Sequence, residues 1–390
     1  MEDNTEKMRQ MTWDGVWTRR LARHGLLNAM QEAKPADVVD AMCGAHAQVM
    51  SAAEISVALR IDSATRSHVR EALWQEHSLV KTFGPRGTVH LLPARDLAMW
   101  TGALSALPRS RNDLPEEALM TPEQTDAVVE AIATMLSDKE MTVDEMDEAI
   151  VDMVGGWAGD EVVPAWYGMY PRWRPAMYTA ANRGVLCYGP RRKRKVTYTN
   201  PQRWLPGFQP DEGQEALRDL VVCYLHAYGP ATPQQFAQWM ATPITWAAEL
   251  FDSLGAELEQ VSIEGDVAWI KAGDGEVPAK ATEGVRLLPY FDAFVVGGQP
   301  REMLFPGRAA ERALANGQAG NYPVLLIDGV VSGVWHLRRA GRTLHIRVEP
   351  LEPLSAALQR ALEEQVARIG EILEGKPKLT IGTIDVGPHA

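Results

Sequence analysis

One order of local signals, helix, short strand, helix, helix, hairpin, can be read three times along this chain. The first copy opens with "PADVVDAM", an apolar-spaced helix with Pro35 near its start. An extended piece, "HAQVM", follows. Ser51, with Glu54 three residues on, forms a capping-box pattern, so a helix is expected from about Ala52 to Leu59. "ATRSHVREALWQEH" is the next helix, and "LVKTFGPRGTVHLLP" reads as strand, Gly/Pro turn, strand. A second copy runs from Thr121-Pro122 through "MTVDEMDEAIVDM" and "WRPAMYTAANRG" to the hairpin "VLCYGPRRKRKVTYTN". The third is "GQEALRDLVVCYLHAYG", "ATPQQFAQWM", "TPITWAAELFDSLG" and "LEQVSIEGDVAWIKA". The copies share topology, not sequence. This is the order of a winged helix-turn-helix module. After about residue 279 the texture turns to short β-branched runs split by glycines, then to the amphipathic "SAALQRALEEQVARIGEIL". The expected fold is α+β. Three tandem winged-helix modules (1–120, 121–210, 211–278) precede a small barrel-like β-rich element with a terminal helix (279–390).

Charge narrows the partner. The net charge is −12, yet residues 182–208 hold no Asp or Glu and seven cations: Arg183, Arg191, Arg192, Lys193, Arg194, Lys195 and Arg203. A basic wing on an acidic body is an electrostatic footprint for an anion, and backbone phosphate is the natural one. Arg86 on the first wing, and Arg66 and Arg70 on the first recognition helix, are further DNA-binding candidates. No apolar run is long enough to span a bilayer and "MEDNTEKMRQ" has no apolar stretch, so a cytoplasmic, nucleoid-associated protein is expected. The three cysteines are too scattered for a disulfide framework or a metal site, and read as buried thiols.

Several chemistries are absent. There is no HExxH, no Walker loop, no GxGxxG after a strand and no GxSxG elbow, and the nine His lack metal spacing. No metal or cofactor is called for. What remains is a DNA-binding chain, expected to be a monomer.

The runs "CGAHAQVMSAAEISVALR", "GTVHLLPARDL", "YLHAYGPATPQQFAQWM", "LLPYFDAFVVG" and "GVWHLRRAGRTLHIRVEPLEPL" resemble, in order, segments of the AlkZ/YcaQ-type bacterial DNA glycosylases. The resemblance implies three winged helices with a β-rich C-terminal element. It also implies hydrolysis of the N-glycosidic bond of bulky N7- or N3-alkylated purines in double-stranded DNA. Some members unhook interstrand crosslinks, and AlkZ-like members give self-resistance to DNA-alkylating antibiotics. The family's catalytic pair, Gln-x-Gln or Gln-x-Asp, falls on His46 and Gln48 here. The second Gln places the chain nearer the AlkZ-like branch, while His in first place departs from the commonest pattern.

Residues two apart on a strand share a face, so "HAQVM" should present His46 and Gln48 together while Ala47 and Val49 face the core. Alkylation at N7 already makes guanine a cationic leaving group. The enzyme must place a water on C1′ and steady an oxocarbenium-like sugar. Gln48 can orient that water through its amide. A neutral His46 could take the water's proton; a protonated one would repel a cationic adduct. Asp292 is a further carboxylate candidate, with turn capping as its other role. The aromatic loop "PAWYGMYPRW", with Trp166, Tyr170 and Trp173, offers stacking surfaces. Two other readings stay open at this level: a non-catalytic winged-helix regulator, and a lesion-binding protein without activity.

Overall fold

The computed structural model describes residues 8–108, 114–165, 168–278 and 284–388. Near the N-terminus, helices Pro35–Ala41, Met50–Ala58 and Arg66–Trp74 pack on an antiparallel sheet ordered Ala45–His46, Val89–Pro93, Leu79–Phe83. Pro35 sits in the first turn of its helix, where its missing N–H costs nothing. Next come helices Pro122–Met135, Val143–Val154 and Ala176–Asn182, with a sheet ordered Met141–Thr142, Lys195–Thr199, Cys187–Arg192. Thr121 with Gln124, and Thr142 with Glu145, close capping boxes there. A two-stranded insert, Glu161–Pro164 and Met169–Pro171, lies between its last two helices. Then helices Gly213–Tyr228, Pro233–Met240 and Ile244–Leu254 lead into the hairpin Leu258–Ile263 and Asp266–Lys271.

The C-terminal element is a five-stranded sheet: Val285–Leu288, Val324–Ile327, Val330–Ala340, Thr343–Pro350, Lys376–Ile381. It curls into a half-barrel and stays open, its first and last strands forming edges. The last strand runs parallel to Thr343–Pro350 because helix Ala356–Ile372 crosses between them. Leu362, Val366, Ile369 and Ile372 of that helix share one core with Leu344, Ile346 and Val348 of the sheet. Ile55, Val57 and Ala58 of the helix after the His46 strand join the same core. The His46 strand is thereby anchored to the C-terminal element.

Three expectations are corrected. Residues 9–23, expected within the first module, belong elsewhere. Arg9–Met11 is the third strand of the Leu258–Ile263 sheet, pairing in parallel with Arg9 opposite Val261. Leu21 and Leu26 pack with Leu288, Phe294 and Leu304 of the C-terminal element. The Ser51–Glu54 capping box does not form: the helix starts at Met50 after Val49, without a side-chain cap. Glu54 is buried and takes Arg70 Nε at 2.6 Å and Arg66 Nε at 3.4 Å, since a buried carboxylate needs a cation. Val49 is 38 % exposed, because the strand ends at His46 and the chain turns before the helix. Cys43, Cys187 and Cys223 are free thiols, the first two buried and the third half-buried.

Candidate active site

Gly44, at φ 94°, turns the chain into the two-residue strand Ala45–His46. His46 pairs across the sheet with His90 on Val89–Pro93, ring centroids 5.2 Å apart and edge to face. The opposite contact comes from the far end of the chain: the Phe291 ring stacks on His46 at 4.5 Å and 27°. Phe291 holds φ 55°, a left-handed conformation that costs a bulky residue of order 1–3 kcal/mol. Its N–H donates to the Gly320 carbonyl at 2.9 Å, and Gly320, at φ 95°, has no room for a side chain against Phe291 and Val296. Strain of this kind persists where the surroundings fix it, and here it seats an aromatic platform under an imidazole.

Burial, then the nearby Arg86 guanidinium, pulls the His46 pKa down to about 4, so the ring is neutral near pH 7. The Gln48 backbone N–H donates to His46 Nδ1 at 3.4 Å. A neutral ring accepting at Nδ1 carries its proton on Nε2. His46 then offers a donor, not the lone pair that a general base at Nε2 requires. Gln48 is exposed at the bend after the strand, leaving its amide to solvent or substrate.

His90 is buried, its Nδ1 within 2.9 Å of the Thr88 carbonyl, and burial holds its pKa well below the ordinary value. Gly84 is the close-approach position behind it: an added Cβ would lie 2.8 Å from the His90 ring. Gly84→Ala should therefore displace the His90 ring packed against His46, lowering stability by about 1–3 kcal/mol and slowing any reaction at that edge. Thermal unfolding and a single-turnover assay on the same variant check both effects.

The DNA-binding candidates separate. On the second wing Arg192 pairs with Glu145 at 2.7 Å and Lys195 with Asp144 at 2.6 Å. Arg191, Lys193 and Arg194 are exposed and have no carboxylate partner among the described residues. Arg66 and Arg70 converge on Glu54, which neutralises part of their charge. Arg86 is half-buried beside His46, its Nη1 donating to the Trp239 carbonyl at 2.6 Å. Asp292 has a structural role instead of a catalytic one. It is 1 % exposed, bonds both Arg60 Nη atoms at 2.9 and 2.8 Å, accepts from Ser56 Oγ at 2.7 Å, and caps helix Ala293–Gly297. In the aromatic loop Trp173 is core, with Nε1 donating to Asp147 at 2.8 Å. Tyr170 is exposed under Arg174, and Trp166 lies outside the described residues. No group of three or more His, Cys, Asp or Glu among the described residues could hold a metal ion.

A second cationic surface escapes any scan along the chain. Cross-strand register sets His336 beside Arg347 and Thr380, Arg338 beside His345 and Lys378, and Thr343 beside Lys376. Alternate strand residues share a face, so these form one basic surface of the C-terminal sheet, while Trp335, Leu344 and Ile346 face the core.

The family model for DNA glycosylase AlkZ-like proteins matches residues 39–372. The chain belongs to the AlkZ-like DNA glycosylase family. It is similar to an interstrand DNA cross-link repair glycosylase from Streptomyces sahachiroi, at 31 % identity over 340 residues, 84 % of this chain and 88 % of that protein. It superposes on the solved structure of Streptomyces sahachiroi DNA glycosylase AlkZ with a TM-score of 0.78 and 28 % identity, over 96 % of this chain and all of that one. This AlkZ-like chain is accordingly a DNA glycosylase, and the readings without activity fall. No helix among its described residues is long and apolar enough to cross a membrane.

Proposed function

We propose that this AlkZ-like glycosylase hydrolyses the N-glycosidic bond of bulky N7- or N3-alkylated purines in double-stranded DNA, unhooks interstrand crosslinks, and acts as a monomer on chromosomal DNA with His46 and Gln48 as its catalytic pair. The observation that carries this is the neutral His46 ring held between Phe291 and His90, with Gln48 exposed beside it. A neutral imidazole does not repel a cationic adduct. The C1′–N bond breaks with its electron pair going to the base, which the alkyl charge makes a good leaving group. Water then adds at C1′ and releases a proton to solvent. In this scheme the Gln48 carbonyl accepts from that water, and its dipole steadies the sugar cation. His46 Nε2–H fixes the partner it donates to. His46 ends its strand half-buried and Gln48 is exposed in the bend after it, so a large or crosslinked lesion can meet them without being drawn into a closed base-sized pocket. Self-resistance to an alkylating natural product is the matching biological role.

The test is duplex DNA carrying one N7-methylguanine, one bulky N7-alkylguanine or one guanine–guanine crosslink, incubated with enzyme, treated with alkali and run on a denaturing gel. Strand breaks at the bulky lesion and loss of the crosslinked species are expected. Breaks at N7-methylguanine alone would contradict the substrate assignment.

Two further outcomes are expected. With His46 near pKa 4 and already neutral, the single-turnover rate should stay flat from about pH 5.5 to 8, where an ordinary imidazole would titrate. A bend near pH 6.5 that vanishes in His46→Gln would contradict the neutral-ring reading. On the wing, Arg191→Ala, Lys193→Ala and Arg194→Ala together should weaken binding to any duplex. The slope of log affinity against log salt should fall by about 0.9 for each phosphate no longer neutralised. An unchanged slope would remove the wing from the interface.

A further inference from the structure

Arg86 stands beside the His46 edge and Arg301 beside Arg86, neither with a carboxylate partner among the described residues. Arg86 sits in the turn between Leu79–Phe83 and Val89–Pro93 at φ 58°, bonded to the Trp239 carbonyl near the end of helix Pro233–Met240. Arg301 opens helix Arg301–Leu304 and donates from Nη1 and Nη2 to the Val295 and Val296 carbonyls at 2.6 and 3.0 Å. Gln299 Nε2 donates to Gln238 Oε1 at 3.1 Å, tying the Arg301 segment to the helix that Arg86 grips. Three stretches far apart in sequence thus meet at one seam. The Phe291 platform belongs to the same segment, since Asp292, Val295 and Val296 follow it through helix Ala293–Gly297.

The seam brings two like charges into partial burial. Burial, then Arg86, pulls the Arg301 guanidinium down to about 10, and burial lowers Arg86 as well. Of the buried arginines, Arg60 is matched with Asp292 and Arg19 with Asp274, whereas Arg20 bonds only the Gln299 and Pro230 carbonyls. Capping of helix ends explains the carbonyl contacts, but a guanidinium has five N–H groups. Arg86 uses one and Arg301 two, which leaves donors over on two like charges held in partial burial. None of their nitrogens is both buried and unbonded, so the remaining donors are open to an anion. An uncompensated pair would also oppose a sugar cation forming at His46 and Gln48, whereas a bound phosphate removes that opposition.

We propose that Arg86 and Arg301 together clamp one backbone phosphate of the damaged strand, within a nucleotide or two of the lesion, and so register the strand against His46 and Gln48. The inference rests on the glycosylase reading of that pair. It adds a specific phosphate contact from two modules at once, distinct from the exposed wing cations.

The test is a methylphosphonate scan. Duplexes carrying one bulky N7-alkylguanine are made with a single phosphate neutralised at successive positions on either side, and binding to wild-type enzyme is measured. One position should cost about tenfold in affinity. In Arg86→Gln/Arg301→Gln that position should cost nothing further, and the salt slope should fall by about 0.9 against wild type. Arg86→Lys/Arg301→Lys, which keeps both charges and conserves the packing, should retain part of the penalty. A flat scan with wild type would overturn the clamp without any variant, and so would a penalty unchanged in Arg86→Gln/Arg301→Gln. Failure of the glycosylase reading would look different: unbroken DNA after alkali with the wild-type scan unaffected.

Discussion

Asp292→Ala lowers the stability of the folded chain by about 3–5 kcal/mol, seen as a fall in Tm of roughly 4–6 °C. The residue is an ion-pair partner in the deepest part of the junction between the first helical unit and the C-terminal element. Arg60 and Asp292 side chains are both 0 % exposed and 2.8 Å apart. Burial alone pushes the Asp292 carboxyl up. Arg60, Ser56 and His24 outweigh it and hold the group below its ordinary value. Removing the carboxylate strands a buried guanidinium, and that stranded charge is the source of the loss. Replacing both partners with apolar residues, Arg60→Met with Asp292→Leu, should recover most of the stability, because neither charge is then orphaned. The pair contributes stability above the ordinary carboxylate pKa, and the contribution fades as pH falls through the lower native value. A single-variant change under 1 kcal/mol would contradict this account. The loss should extend to activity, since Asp292 follows Phe291 and fixes the helix behind it.

His46→Ala slows single-turnover excision at saturating DNA by about 10²–10³-fold, the range for removing one preorganised donor from a reacting site. DNA affinity should stay within a few-fold of wild type. The ring is neutral near pH 7, so no phosphate-attracting charge is removed. His46→Gln replaces one neutral donor by another and should keep the rate within about tenfold of wild type. A His46→Ala rate within threefold of wild type would make the imidazole a packing residue between Phe291 and His90.

Much of the local structure was legible. The capping pairs Thr121 with Gln124 and Thr142 with Glu145, and the hairpins around Gly84-Pro85 and Gly265-Asp266, depend on neighbours in sequence. The chemistry that decides them lies within a few residues. Where a long-range partner won, the local signal misled. Ser51 and Glu54 have capping-box spacing, but burial gave Glu54 to Arg66 and Arg70. The segment Arg9–Met11 reads as part of its nearest module, yet an unfilled sheet edge at Val261 took it. The candidate site divides in the same way. His46 and Gln48 stand out as a short motif, whereas Phe291 and His90 join His46 only through tertiary contacts. The basic face around Arg338, Arg347 and Lys378 alternates with core residues on three strands, so no linear window gathers its charge.

The measurement that tests the central claim most directly compares wild type with Gln48→Ala on one duplex carrying a single bulky N7-alkylguanine. Excision is followed by alkali cleavage in single turnover, and binding to the same duplex is measured in parallel. Wild type should break the strand at the lesion. Gln48→Ala should bind with affinity close to wild type and excise at least about 10²-fold more slowly. If Gln48→Ala excises at the wild-type rate, the His46–Gln48 edge is not where the glycosidic bond is cut.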